Sequence, residues 1–159
     1  MEPQTNKMAV AGLIGAASIA ATLLIMPFEG EHLKSYSDPP GIQTVCWGHT
    51  KGVRINQYAT DHECLVDLGQ DARQADADVR RAVKVQISDK TRAAFISFVF
   101  NVGAQRFDNS TMLRKLNNGD IVGACNELPK WIYAGGEKLP GLIRRRESEK
   151  ALCLAGVQE

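Results

Sequence analysis

The hydrophobic pattern changes character twice along the chain. It begins with an apolar run, Ala9 to Met26, that contains no charged side chain. Gly30 to Tyr58 shows no helical period; it is rich in Gly, Pro, Thr, Tyr and Trp, with turn signals at Pro39-Pro40-Gly41 and Lys51-Gly52. That composition predicts short antiparallel strands. From Thr60 the period becomes helical. Thr60 and Glu63 form a Thr-x-x-Glu capping box, and Leu65, Leu68, Ala72, Ala75 and Val79 follow on one face, which predicts a helix of about 20 residues.

Ser88 has the character of a second cap. The run Ala93 to Phe100 after it is apolar nearly all round, as expected of a buried central helix, and Gly103 stops it. Ser110 predicts another start, ended by Asn118-Gly119. Asp120 predicts a helix reaching about Lys130, and Pro140 opens a last helix that ends near Gly156. The predicted fold is α+β: a small β-containing lobe, a long connecting helix and a helical lobe. The cleft between the lobes is the expected site.

The N-terminal run needs its own reading. As a helix its 18 residues span about 27 Å, close to the hydrocarbon thickness of a bilayer. Ten of them are Ala, Gly, Ser or Thr, so the run is long enough to span but weakly hydrophobic. Lys7 precedes it and no Lys or Arg follows until Lys34, which keeps the N-terminus cytoplasmic and exports the body. A cleaved signal peptide is disfavoured, because Leu-Leu-Ile-Met-Pro-Phe-Glu offers no small-x-small site. A permanent anchor would carry fewer small residues. A buried soluble helix is the plain alternative, and an uncleaved, weakly held export anchor fits best. The expected division is residues 1–27 as anchor and 28–159 as body.

Composition narrows the rest. A chain of 159 residues suffices for one compact core, and a net charge of +1 gives no reason to expect a nucleic-acid partner. Arg144-Arg145-Arg146 reads as a solvated helix face, with contact to an anionic wall polymer or lipid surface as the alternative. The cysteines Cys46, Cys64, Cys125 and Cys153 form no CxxC pair, and His32, His49 and His62 stand at no zinc-ligand spacing from them, so no metal is expected. An even number of cysteines suits two disulfides in an oxidising compartment, or four buried thiols in a reducing one.

Glycosidic cleavage needs a proton donor and a second carboxylate that activates water or stabilises positive charge at the sugar. Glu29 and Asp38, nine residues apart, are candidates, and the Thr44 hydroxyl could hold a water. Spacing alone is weak support, since surface carboxylates commonly stand this far apart. The motifs say more. Glu29-Gly30-x-x-Leu33-x-x-Tyr36-x-Asp38, then Gly41, Thr44 and Gly48-His49-Thr50, resembles the active-site signature of the phage lysozymes, glycoside hydrolase family 24. The similarity continues through Ser97 to Gly103, Ser110 to Asn117, Trp131, Ala134-Gly135-Gly136 and Gly141-Leu142.

The resemblance implies a lysozyme-like fold and a muramidase acting on the β-1,4 bond between N-acetylmuramic acid and N-acetylglucosamine of peptidoglycan, without a cofactor. Glu29 matches the general acid, which must carry a proton near neutrality. Asp38 matches the second catalytic carboxylate and Thr44 the residue placing the water. Thr50, Phe100 and Ser110 match cleft-lining positions, although Phe100 could equally be core. His49 is expected to brace the β-lobe. One departure stands out: Cys46 occupies a position where this family often has Gly.

With the weak anchor, the whole resembles a signal-anchor-release endolysin. Such an enzyme is held on the host inner membrane through residues 9–26, then freed into the periplasm as a monomer. A freed segment should fold onto the body as a helix broken near Pro27, with Gly12, Gly15 and Ala16 allowing close approach. A lytic transglycosylase and a catalytically inactive, membrane-tethered wall-binding protein are the alternatives. Cys46 and Cys64 fall in the β-lobe and the start of the connecting helix, and Cys125 and Cys153 on two helices of the other lobe. The pairs Cys46–Cys64 and Cys125–Cys153 are therefore expected, against four reduced thiols.

Overall fold

A computed structural model describes residues 15–38 and 41–159 of the chain. Helix α1, Ala16–Glu29, starts it. Its Ala17, Ser18, Ala21 and Ile25 fall on one face and are buried against the helical body, while Ile19 and Leu23 stay exposed. The apolar run thus serves as a core helix over residues 16–26; residues 9–14 of it lie outside the described part. Among the described residues no helix is long and apolar enough to cross a membrane.

Two expectations for this helix are corrected. It is not broken near Pro27, which sits inside α1. Proline removes the N–H that would bond the carbonyl four residues back. That carbonyl belongs to Leu23 on the exposed face, where water can satisfy it. The close approach is also made by other residues. Gly12 lies outside the described part, nothing stands within 4 Å of a Cβ placed on Gly15, and Ala16 is exposed. Ala17, Ser18 and Ala21 carry the contact, and the Ser18 hydroxyl donates to Asp76 Oδ2 at 3.3 Å.

Strands β1, His32–Ser37, and β2, Gln43–Cys46, form the antiparallel hairpin expected of the Gly/Pro/Thr segment, with Tyr36 opposite Thr44 and Ser37 opposite Gln43. Helix α2, Asp61–Ala82, connects the lobes. Both halves of the Thr60/Glu63 capping box are made, and its hydrogen bonds hold the Glu63 carboxyl below the usual range. Its buried face includes Leu68, Ala72, Ala75 and Val79 of the predicted pattern, while Leu65 is exposed.

Helix α3, Asp89–Val102, is the buried central helix, capped by Ser88 and followed by Gly103. It packs between α1, α2 and the last helix. Phe95 and Phe98 reach Phe107, and Phe98 meets the Trp131 ring edge-on at 5.1 Å. After Gly103 comes a short helix that the periodicity does not announce, α4, Ala104–Asp108, then α5, Thr111–Asn117. The helix capped by Asp120 is shorter than expected: α6 covers Ile121–Cys125, and a 3-10 turn, Leu128–Lys130, takes over where Pro129 withholds a donor. A second hairpin, β3 (Tyr133–Ala134) with β4 (Glu137–Lys138), turns on Gly135 and Gly136, both at positive φ.

Helix α7, Pro140–Val157, closes the body. Gly156 fits it against the start of α3: a Cβ there would stand 2.6 Å from the Thr91 backbone nitrogen. Both expected cysteine pairs are bonded. Cys46 and Cys64 have Cα atoms 5.0 Å apart and tie the hairpin to α2; Cys125 and Cys153, at 5.7 Å, tie α6 to α7.

Candidate active site

Glu29 is the last residue of α1, and Gly30 at φ 68 turns the chain directly into β1. The helix therefore aims this carboxylate, and the hairpin begins three residues later. One oxygen, Oε1, accepts a hydrogen bond from Arg145 Nη1 at 2.5 Å. The other, Oε2, faces Gly48. A Cβ built there would lie 3.2 Å from it, at a backbone φ of 83. Glycine at this position is required twice, by conformation and by the carboxylate against it.

Asp38 lies just beyond β1, where the hairpin turns. Its Oδ1 accepts the Ile42 N–H at 2.7 Å, and its own N–H donates to the Ile42 carbonyl at 3.0 Å. The Ile42 backbone thus holds Asp38 in place. Thr44 is buried on β2 opposite Tyr36, and its hydroxyl donates to the Ile42 carbonyl at 3.2 Å. Tyr36 feels both carboxylates. Burial pushes its phenol up from the ordinary range, and the charges of Glu29 and then Asp38 push the same way.

Gly48 leads from Glu29 into a groove of about 260 Å³. Thr50 and Phe100 line it together with Asp71, Gln74 and Asp78 of α2. The structure therefore brings two of the three cleft candidates to one groove beside Glu29. It places Ser110 elsewhere. That hydroxyl caps α5, accepting the Leu113 N–H and donating to the Phe107 carbonyl, at the edge of a hollow of about 670 Å³ shared with Arg106, Lys130, Trp131 and Tyr133. His49 braces the β-lobe as expected: Nδ1 stands 2.7 Å from Asp71 Oδ2, and Nε2 is 3.0 Å from the Lys51 carbonyl. Cys46 has φ 59, so the unusual residue does take the left-handed conformation that glycine suits, with the bond to Cys64 holding it there.

A family model described as phage lysozyme matches residues 26–149. The chain belongs to the phage lysozyme family. It is 42% identical to the SAR-endolysin of Bacteriophage PS119, with 99% of each chain covered. Among solved structures it resembles the active form of the P1 phage endolysin Lyz, with a TM-score of 0.81 at 26% identity over 95% of this chain and 92% of that one. It also resembles the muramidase domain of SpmX from Asticaccaulis excentricus, with a TM-score of 0.80 at 31% identity over 85% and 95% of the two chains. As a phage lysozyme it is a glycoside hydrolase, and its fold is the expected lysozyme-like α+β arrangement.

In this phage lysozyme the sequence reading missed the residues behind Glu29. The arginine triplet is neither a solvated face nor a free basic patch. Arg144 is exposed, but Arg145 is 3% and Arg146 0% exposed. Glu149, fully buried one turn later, accepts from Arg145 Nε at 3.2 Å, Arg146 Nη2 at 3.1 Å and the Ser97 hydroxyl at 2.7 Å, all on Oε1. Arg146 Nε lies 2.8 Å from its Oε2. Burial lowers the Arg146 guanidinium to about 10 against the opposing pull of Glu149; burial likewise pushes the Glu149 carboxyl up, with Arg146 and Arg145 opposing. The spacing Arg145-Arg146-x-x-Glu149 was the available signal, because positions three and four apart share a helix face.

Proposed function

We propose that this phage lysozyme is an endolysin that hydrolyses the β-1,4 bond between N-acetylmuramic acid and N-acetylglucosamine of peptidoglycan, with Glu29 as general acid. The observation that carries the reading is the placement of Glu29: fixed at the end of α1 between Arg145 and Gly48, next to the groove, and facing the hairpin that bears Asp38 and Thr44. Glu29 gives a proton to the leaving glycosidic oxygen as the bond to the anomeric carbon breaks. Asp38 takes a proton from a water that Thr44 orients, and that water adds to the anomeric carbon. Two carboxylates with a water between them make an inverting enzyme, for which a separation of about 6.5–9.5 Å is required. Thr50 and Phe100 contact the glycan along the groove.

Glu29→Gln keeps the shape and removes the proton. Solubilisation of cell wall by the full-length variant should fall by about 10²–10⁴-fold, the usual contribution of a general acid, with unchanged melting. Retention of wild-type activity would overturn the assignment, and 1,6-anhydro ends in the products would show a lytic transglycosylase instead.

Activation by membrane release belongs to the same proposal. The names of the full-length SAR-endolysin relatives support it. Residues 1–27 act as the anchor on the host inner membrane. Because the same helix carries both residues 16–26 and Glu29, a segment lying in lipid cannot at once fill the body and aim the acid. Released into the periplasm, it docks as α1. Leucine at Gly15 and Ala16, which are exposed in the docked helix, strengthens the anchor without obstructing docking. Lysis by that variant should be delayed while the detergent-extracted enzyme retains activity. Lysis on the wild-type schedule would refute activation by release.

A further inference from the structure

We infer that Glu149 is a positioning residue for catalysis: acting through Arg145, it fixes the charge and the geometry presented to Glu29. The inference rests on the reading of Glu29 as the acid. It starts from an accounting of buried groups. Glu149 Oε1 receives three hydrogen bonds, from Ser97 on α3 and from Arg145 and Arg146 on its own helix. Every one of these partners is a donor, so the ionised carboxylate is the form they satisfy. A fully buried ion is costly to hold, and removing one of its partners leaves an uncompensated charge.

Arg145 is the link to the site. Its Nε donates to Glu149, its Nη1 to Glu29 and its Nη2 to the Ser97 carbonyl at 3.2 Å. A guanidinium is planar, so fixing the first and last of these contacts fixes the direction of the second. Arg146, stacked 4.9 Å from the Phe98 ring and donating to Asn101 Oδ1 at 2.9 Å, completes the set. The charged groups around Glu149 are therefore Arg145 and Arg146 from α7 and Glu29 from α1, while α3 contributes Ser97, Asn101 and Phe98. Tyr36 and Asp38 face Glu29 from the hairpin.

The charges balance in a way that matters for an acid. Two guanidiniums stand behind one catalytic carboxyl, and Glu149 cancels one of them. Without that cancellation the excess positive charge favours loss of the Glu29 proton, and Arg145 loses the contact that aims it.

Full-length Glu149→Gln, a change of charge with little change of shape, tests this. The alkaline limb of its kcat–pH profile in wall hydrolysis should move to lower pH by about one unit. Its maximal kcat should fall about tenfold or more, with KM little changed. In an Arg145→Lys background, where both cations remain but the planar link is gone, the same substitution should lower kcat little further while the alkaline limb still moves. A wild-type profile in Glu149→Gln, or equal losses in both backgrounds, would overturn the inference.

If Glu149→Gln does not fold, Ser97→Ala removes a single donor from Oε1. It must then lower kcat rather than raise KM and move the same limb the same way; absence of that movement overturns the inference. Failure of the Glu29 assignment is distinguished by Glu29→Gln, whose retained activity would remove the acid itself. An inactive Glu29→Gln alongside an unaltered Glu149→Gln removes the positioning role alone.

Discussion

The two sides of the site are built on opposite principles. Glu29 stands on the helical side, backed by Arg145, Arg146 and Glu149, none of them more than 3% exposed. Asp38 stands on a half-exposed turn, held by the Ile42 backbone, in a hairpin fastened to α2 by the Cys46–Cys64 bond. Placement on the first side depends on compensated buried charge, whereas the second depends on local backbone geometry and one covalent tie. A substitution among the buried charges behind Glu29 therefore removes stability together with activity, and one on the hairpin can remove activity alone.

The largest expected effect tests that division directly. Arg145→Met leaves Glu149 and Glu29 without their shared cation and should cost about 3–5 kcal/mol of stability in denaturant unfolding, along with activity. Asp38→Asn should also lose wall hydrolysis, yet stay within about 0.5 kcal/mol of wild type in the same titration, as surface substitutions generally do. Comparable destabilisation by the two would erase the contrast.

A smaller effect sharpens it on the hairpin side. Breaking the bond with Cys46→Ser and Cys64→Ala should cost about 2–4 kcal/mol. Replacing Cys46 with Gly instead, in the same Cys64→Ala background, should recover about 1 kcal/mol, because glycine takes φ 59 without the penalty of a side chain. Equal melting of the two double variants would mean that the left-handed backbone at position 46 carries no cost in this protein.

Much of the fold was legible because its signals are local. The Thr60/Glu63 box, the Ser88 and Ser110 caps and the Gly103 stop each act over three or four residues, and each is found where the residues predict it. The misses have equally local causes with non-local outcomes. Pro27 predicts a break, but α1 tolerates it because docking turns Leu23, whose carbonyl loses its donor, to the exposed side. The Asp120 cap is found where the sequence predicts it, but the helix is shorter than expected, since Pro129 and the Cys125–Cys153 bond divide the segment.

The sequence by itself determined the helical periods and caps, the turn chemistry and the ordered motif from Glu29 to Thr50, because each depends on neighbours along the chain. It also allowed the cysteine pairing, since the four residues fall on elements of two predicted lobes. Tertiary structure alone decided that Thr50 and Phe100 share a groove while Ser110 lies at a different hollow. It alone decided the fate of the arginines. Arg144, Arg145 and Arg146 are identical as residues, yet one is exposed and two are buried, because Glu29 and Ser97 approach from 116 and 52 positions away along the chain from Arg145 and Glu149 respectively. Burial of a charge is set by the partners that folding brings to it; Glu149 is legible three and four positions along the helix, but Glu29 and Ser97 leave no mark in the adjacent sequence.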